Sequence, residues 1–346
     1  MALRDSLSSS FYERTFQVLV IISLTILVLY LGKSLFIPLV FAFLTSIVLY
    51  PLNQLLEKIH CPRYLAAIVS IVIFISLISV IFFLLGTQLE QFSKALPMLK
   101  EKLGVIFHNL QLRLQSGLHI DIARQANYIK KSSDALMASA GSTFSNLLSF
   151  IIMLVLFVFF TFYILSYRKL LMQFMLSFFN RGNKKKVLDT VMELRLMINS
   201  YIKGLLIEMT VVFITGFLLL LVLGIKFALL MAVFTALFNI IPYLGIFTSI
   251  FINVLITLAT GTSTQGIEVA IVFIVIHLVD SNILLPKIVG KQVKMNPFIT
   301  LIAVVIGELL WGIPGMFLFI PLSAIFRIIS EKIKDLQPWA ILIGEE

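Results

Sequence analysis

Six polar side chains interrupt the most apolar part of this sequence. His277, Asp280 and Asn282 fall in "HLVDSNILLP", Asn239 and Tyr243 in "NIIPYLG", and Glu308 just before "WGIPG". A carboxylate, an amide and backbone carbonyls freed near Pro286, which cannot continue helical hydrogen bonding, are the ligand types that a proton or Na⁺ requires inside a membrane. Asn239 and Tyr243 add groups that hydrogen-bond a polar solute. His277 stands three residues before Asp280, on the same face of a helix. Each residue also has a simpler role. Asp280 would cap a helix end and pair with Lys287, Glu308 would accept from loop N–H groups, and Asn239 and Tyr243 would serve turn chemistry. Glu208 and Glu268 begin their spans and read as interfacial.

Signatures of other chemistry are absent. The sequence has no G-x-x-x-x-G-K-[ST] loop for nucleotide-driven transport and no H-E-x-x-H. It has no Cys/His cluster with metal spacing, no nucleophile elbow and no glycine-rich dinucleotide motif. Of His60, His108, His119 and His277 only the last lies in an apolar run. Cys61 is the sole cysteine, so no intrachain disulfide framework exists. The expectation is a non-enzyme with no cofactor and no metal.

The elements that position these side chains are membrane helices. Of 346 residues, 60% are hydrophobic and 13% charged, and mean hydropathy is +1.07. A soluble domain could not hide that much apolar surface, so the lipid bilayer is the expected solvent. The net charge of +10 comes from Lys and Arg beside apolar runs, which marks topology rather than nucleic-acid binding.

Runs at 15–32, 35–51, 65–86 and 146–166 are each long enough for a span. The first has no A-x-A-type cleavage site after it and reads as retained. Between the third and fourth lies a polar insert, 87–145, where Leu89, Phe92, Leu96, Leu99, Leu103, Ile106 and Leu110 recur at helical spacing. A basic stretch at 167–204 precedes a span at 205–223. Residues 227–260 are apolar but broken at Asn239–Gly245, 267–285 form another span, and 297–330 are broken at Trp311–Gly315. Each broken run leaves two pieces of about 15 residues, short for a crossing. They are either tilted span pairs or re-entrant hairpins.

Apolar run, proline and glycine recur in order, Phe227 to Pro242 and Gly245, then Phe298 to Pro314 and Gly315. Interrupted hydrophobic segments at matching positions of two halves point to a transporter site. The fold class is therefore all-α and multi-pass, with about eight spanning segments, two Pro/Gly-tipped hairpins and a helical extracytoplasmic insert. The divisions are 1–86 (N-terminal helices), 87–145 (insert), 146–204 (helix and basic linker), 205–334 (transport core) and 335–346 (tail). Charge places the N-terminus, 167–204, 287–295 and the C-terminus in the cytoplasm and 87–145 outside.

"FNIIPYLGIFTSI" and "VDSNILLPKIVGKQVKMNPFITLIAVVIGELLWGIPGMFLFIPLSAIFRII" resemble the signatures of the AI-2E family of transporters, which includes PerM-type permeases. Pro242 and Gly245 match its I-P-Y-x-G turn. Asn282, Pro286, Lys287, Gly290 and Pro297 match its N-x-x-x-P-K-x-x-G stretch. Gly312, Gly315 and Pro321 match its final glycine-rich hairpin and the proline after it. The resemblance implies a multi-pass inner-membrane protein that forms a homo-oligomer, a pentamer being one form. It also implies efflux of autoinducer-2, a small polar furanosyl signal in quorum sensing, or of another small solute. Some members resemble Na⁺/H⁺ antiporters, which is the alternative here. A further alternative is a membrane scaffold or assembly factor acting through 87–145.

Overall fold

In a solvent that offers no hydrogen bonds, a chain must close its own backbone groups, and long apolar runs do so by coiling. The computed structural model describes residues 11–83, 85–88, 90, 143–241, 244–284, 287 and 294–345. In chain order the helices are α1 (Phe11–Leu31), α2 (Lys33–Lys58), α3 (Arg63–Gln88), α4 (Thr143–Ser177), α5 (Arg181–Val222), α6 (Ala228–Phe238), α7 (Leu244–Thr260) and α8 (Ser263–Val279). A π-helical turn, Asp280–Leu284, continues α8, and α9 (Pro297–Trp311), α10 (Ile313–Lys332) and α11 (Gln337–Ile343) follow. Six helices are long and apolar enough to cross a membrane among the described residues: α2, α3, α4, α5, α8 with its π turn, and α10. The chain is an all-α multi-pass membrane protein. The insert from 91 to 142, with its amphipathic stripe, and Pro242, Tyr243, Pro286 and Gly290 lie outside the described residues.

Both broken runs fold as helical hairpins, though not as equal halves. The first gives 11 and 17 residues, the second 15 and 20. At about 1.5 Å per residue α6 rises only about 17 Å, too little for a hydrocarbon core of about 30 Å. Each turn is closed by glycine. A β-carbon on Gly245 would overlap the Phe238 carbonyl, and one on Gly315 would overlap the Gly307 carbonyl. Gly312, between α9 and α10, has φ 66°, which favours a residue without a side chain.

Residues 181–222 form one unbroken rod of 42 residues, so the later part of the basic linker and the following span expected at 205–223 are a single helix, α5, while residues 167–177 end α4. Its first half joins a core with α2, α9 and α10 through Met197, Ile198, Tyr201, Leu205, Val304 and Leu318. Its second half joins a core with α6, α7 and α8 through Val212, Leu220, Leu230, Ile256, Phe273 and Ile276. A third core, Leu49, Ala67, Ile71 and Leu165, ties α2, α3 and α4 together. Position 208 lies on α5 between the first two cores.

Candidate functional site

Three elements converge there. On α5 the buried residues Tyr201, Gly204, Leu205, Glu208, Val212 and Gly216 form one stripe, and Glu208 is the carboxylate within it. On α8 the buried residues run Gly266, Val269, Phe273 and Ile276, and Asp280 takes the next place in that three-and-four spacing. The third is the tip of the first hairpin. Asn239 caps α6, its backbone N–H bonded to the Thr235 carbonyl at 2.9 Å. The tight return at Gly245 holds α7 against that cap.

Glu208 is 1% exposed and Asp280 3%. Asn239 Nδ2 donates to Glu208 Oε1 and to Asp280 Oδ2, both at 3.1 Å. Its two N–H bonds are thus spent on two carboxylates. The opposite amide orientation would aim a carbonyl at both acids, so the electrostatics select this one. Glu208 Oε2 and Asp280 Oδ1 are buried and have no hydrogen-bond partner among the described residues. Two carboxylates this close in a water-poor interior do not both carry bare charge. The arrangement suits a shared proton, a monovalent cation, or hydroxyl donors of a polar molecule placed against the two free oxygens. Among the described residues no group of three or more His, Cys, Asp or Glu side chains gathers as a metal site.

A second polar layer lies within the same hairpin. Ser249, Asn253 and Thr257 repeat every four residues along α7, and all three are buried. Asn253 Nδ2 donates to Thr235 Oγ1 at 2.7 Å, and Thr235 Oγ1 donates to the Met231 carbonyl at 2.9 Å. Asn253 Oδ1 is buried with no partner among the described residues.

The sequence pattern of the AI-2E family transporters matches residues 19–335. The chain belongs to the AI-2E transporter family. It is 25% identical over 303 residues to the putative transport protein YrrI of Bacillus subtilis, covering 86% of each chain. It is 23% identical over 319 residues to the AI-2 transport protein TqsA of Escherichia coli, covering 91% of this chain and 90% of that one. Over a shorter stretch of 146 residues, 42% of this chain and 41% of the relative, it is 28% identical to the putative permease PerM of E. coli. This AI-2E protein is a membrane transporter.

Of the residues singled out from sequence, the transporter's fold brings Asp280 and Asn239 together. The ion pair of Asp280 with Lys287 is not formed; Lys287 is exposed and the carboxylate turns inward to Asn239. His277 is half-buried, its ring 6.0 Å from that of Phe247 and its Nδ1 without a partner among the described residues. Asn282 is exposed and donates to the carbonyl of Leu278 in its own helix at 2.8 Å. Glu308 is exposed on α9; the N–H of Gly312 goes to its backbone carbonyl at 2.8 Å rather than to its carboxylate. Pro314 and Gly315 open α10, with Gly315 buried against Gly307.

Glu208 is the residue that sequence reasoning placed wrongly, at an interface rather than in the interior. The signal that would have found it is its register on α5, four residues from both Gly204 and Val212. The Ser249, Asn253 and Thr257 stripe carried the same kind of signal and went unread.

Proposed function

We propose that this AI-2E transporter exports a small polar solute by secondary transport, and that autoinducer-2 or a metabolite of like size and polarity is its cargo. The observation that carries this reading is the buried Glu208–Asn239–Asp280 cluster. It offers two free carboxylate oxygens to solute hydroxyls at the tip of a hairpin too short to cross a bilayer. The naming of TqsA as an AI-2 transport protein supports the cargo class. In this reading the chain resides in the cytoplasmic membrane as a homo-oligomer, with the basic start of α5 in the cytoplasm, where Lys and Arg beside a span belong.

Flux through purified protein in liposomes tests it. Autoinducer-2 should equilibrate across vesicles holding the wild type, and at least about tenfold more slowly with Asp280→Asn, a barrier rise of about 1.4 kcal/mol. The amide keeps size and hydrogen bonding but cannot exchange charge. Vesicles that move Na⁺ against a pH gradient while autoinducer-2 stays put would replace export with antiport.

A further inference from the structure

We propose that the end of the bundle where α2 runs out and α3 begins holds a built site for the phosphate of an anionic phospholipid. The site is formed by Arg168 and Arg195 over Tyr50 and by Arg63 beside Glu57.

Two helices bring cations to one aromatic ring, and a third cation stands beside them at Glu57. The Arg195 guanidinium, from α5, lies 3.5 Å from the centre of the Tyr50 ring, and that of Arg168, from α4, lies 5.0 Å from it. Arg168 also donates to Asn53 Oδ1 at 2.8 Å and to Glu57 Oε2 at 2.5 Å. Arg63, at the start of α3, is held loosely. Its Nε is 4.0 Å from Glu57 Oε1, and its Nη1 is 3.5 Å from the Ser166 carbonyl. Glu57 is therefore the carboxylate that Arg63 and Arg168 share among the described residues, and it is engaged with Arg168. Glu193, two residues from Arg195, is paired with Lys332 at 2.9 Å. Among the described residues, three cations against one anion leave two positive charges uncompensated.

The neutral groups around them also lack acceptors. Asn53 is fully buried, and its Nδ2 has no acceptor among the described residues; Ser166 is 2% exposed and its hydroxyl has no partner among them. Tyr50 accepts from Gln54 Nε2 at 2.6 Å, which leaves its own O–H free to donate. An anion with several oxygens supplies what guanidiniums, an amide and hydroxyls share a need for.

The setting selects a lipid as the source of that phosphate. Tyr64, Tyr163 and Tyr167 stand beside Arg63 and Arg168 and are exposed. With Phe162 they form a cluster with ring centres 5.4 to 6.4 Å apart. Tyrosines gather at headgroup depth in membrane proteins. From there the exposed side chains of Leu65, Ile68, Val72 and Phe159 continue along α3 and α4 as an apolar wall for an acyl chain. Basic pockets between membrane helices are the sites that anionic headgroups take.

The test is lipid binding to the purified full chain in a neutral detergent, where no membrane surface potential exists. Phosphatidylglycerol titrated into the wild type should bind at least about tenfold more tightly than phosphatidylcholine and should raise the melting temperature. Arg63→Gln, at a half-exposed residue with long contacts, should remove most of that preference without loss of fold. Arg195→Lys should weaken it less. Lys184→Gln, Lys185→Gln and Lys186→Gln combined should leave it within about twofold, because those exposed lysines act only through a surface field. Equal binding of both lipids, or full preference in Arg63→Gln, overturns the proposal. Stabilisation by inorganic phosphate that matches the lipid effect overturns the lipid as source.

Discussion

In the first hairpin α6 and α7 return on each other at Gly245 and bury Thr235, Asn239, Ser249, Asn253 and Thr257. In the second, α9 and α10 return at Gly312 and bury Ala303, Val304, Gly307, Gly315, Leu318 and Ala324, with Ser330 as the buried polar side chain near its end. The backbones approach equally closely, since in both a glycine stands where a β-carbon would overlap a carbonyl. What fills the space differs. Apolar side chains in a tight helix pair have one good packing, and polar ones can exchange partners at small cost in a membrane. The second hairpin is also pinned to α1 by Trp311, whose Nε1 donates to the Leu29 carbonyl at 2.9 Å. In the function proposed here the first hairpin carries the reactive groups, and the second is its frame.

Moving the acid change from one hairpin unit to the other gives the largest contrast. Glu208→Gln removes a carboxylate from the buried cluster and should slow solute flux in liposomes by about 100-fold, about 2.7 kcal/mol of barrier. Glu308→Gln alters an exposed side chain on α9 and should change flux by less than about twofold. Comparable losses in both would end the division of labour argued above.

Substituting the glycines tests the shared device. Gly315→Ala drives a methyl into the Gly307 carbonyl, and Gly245→Ala drives one into the Phe238 carbonyl. Neither neighbour is a flexible side chain that can rotate away. Each change should cost about 2 kcal/mol, read as a lower unfolding midpoint of the purified protein. A normal midpoint for either would mean that its hairpin is looser than described.

The hairpins were legible in sequence because their punctuation is local. "NIIPYLG" and "WGIPG" stop helices by Pro and Gly chemistry, and both breaks fall where that chemistry puts them. Asp280 was legible because a carboxylate at the end of "IEVAIVFIVIHLVD" has few uses in lipid. Its partner was not. Glu208 follows Lys203 by five residues and so looked like the edge of a span. Only the unbroken length of α5 moves it inward, and helix length across a basic stretch is settled by packing on two cores. Asn282 misled for the opposite reason. It shares a motif with Asp280 but stands two residues away, and a helical turn sends such neighbours to different faces.

The smallest effect is the finest test of the difference in filling. Asn253→Leu removes the short hydrogen bond to Thr235 and a long one of 3.5 Å to the Met231 carbonyl, yet it also removes a buried oxygen that has no partner among the described residues. Thr235 keeps its bond to the Met231 carbonyl. Stability should therefore move by no more than about 0.6 kcal/mol, the average for such bonds between membrane helices. Flux should still fall severalfold if exchange among polar partners inside the hairpin accompanies transport. Trp311→Phe should behave in reverse. It deletes the bond to Leu29 and leaves a carbonyl unpaired, so the unfolding midpoint should drop by about 1 kcal/mol while flux per folded protein holds. Measuring midpoint and flux on the same two preparations separates the roles. If Asn253→Leu transports at the wild-type rate, its polar layer is interhelical glue and the reactive region shrinks to Glu208, Asn239 and Asp280.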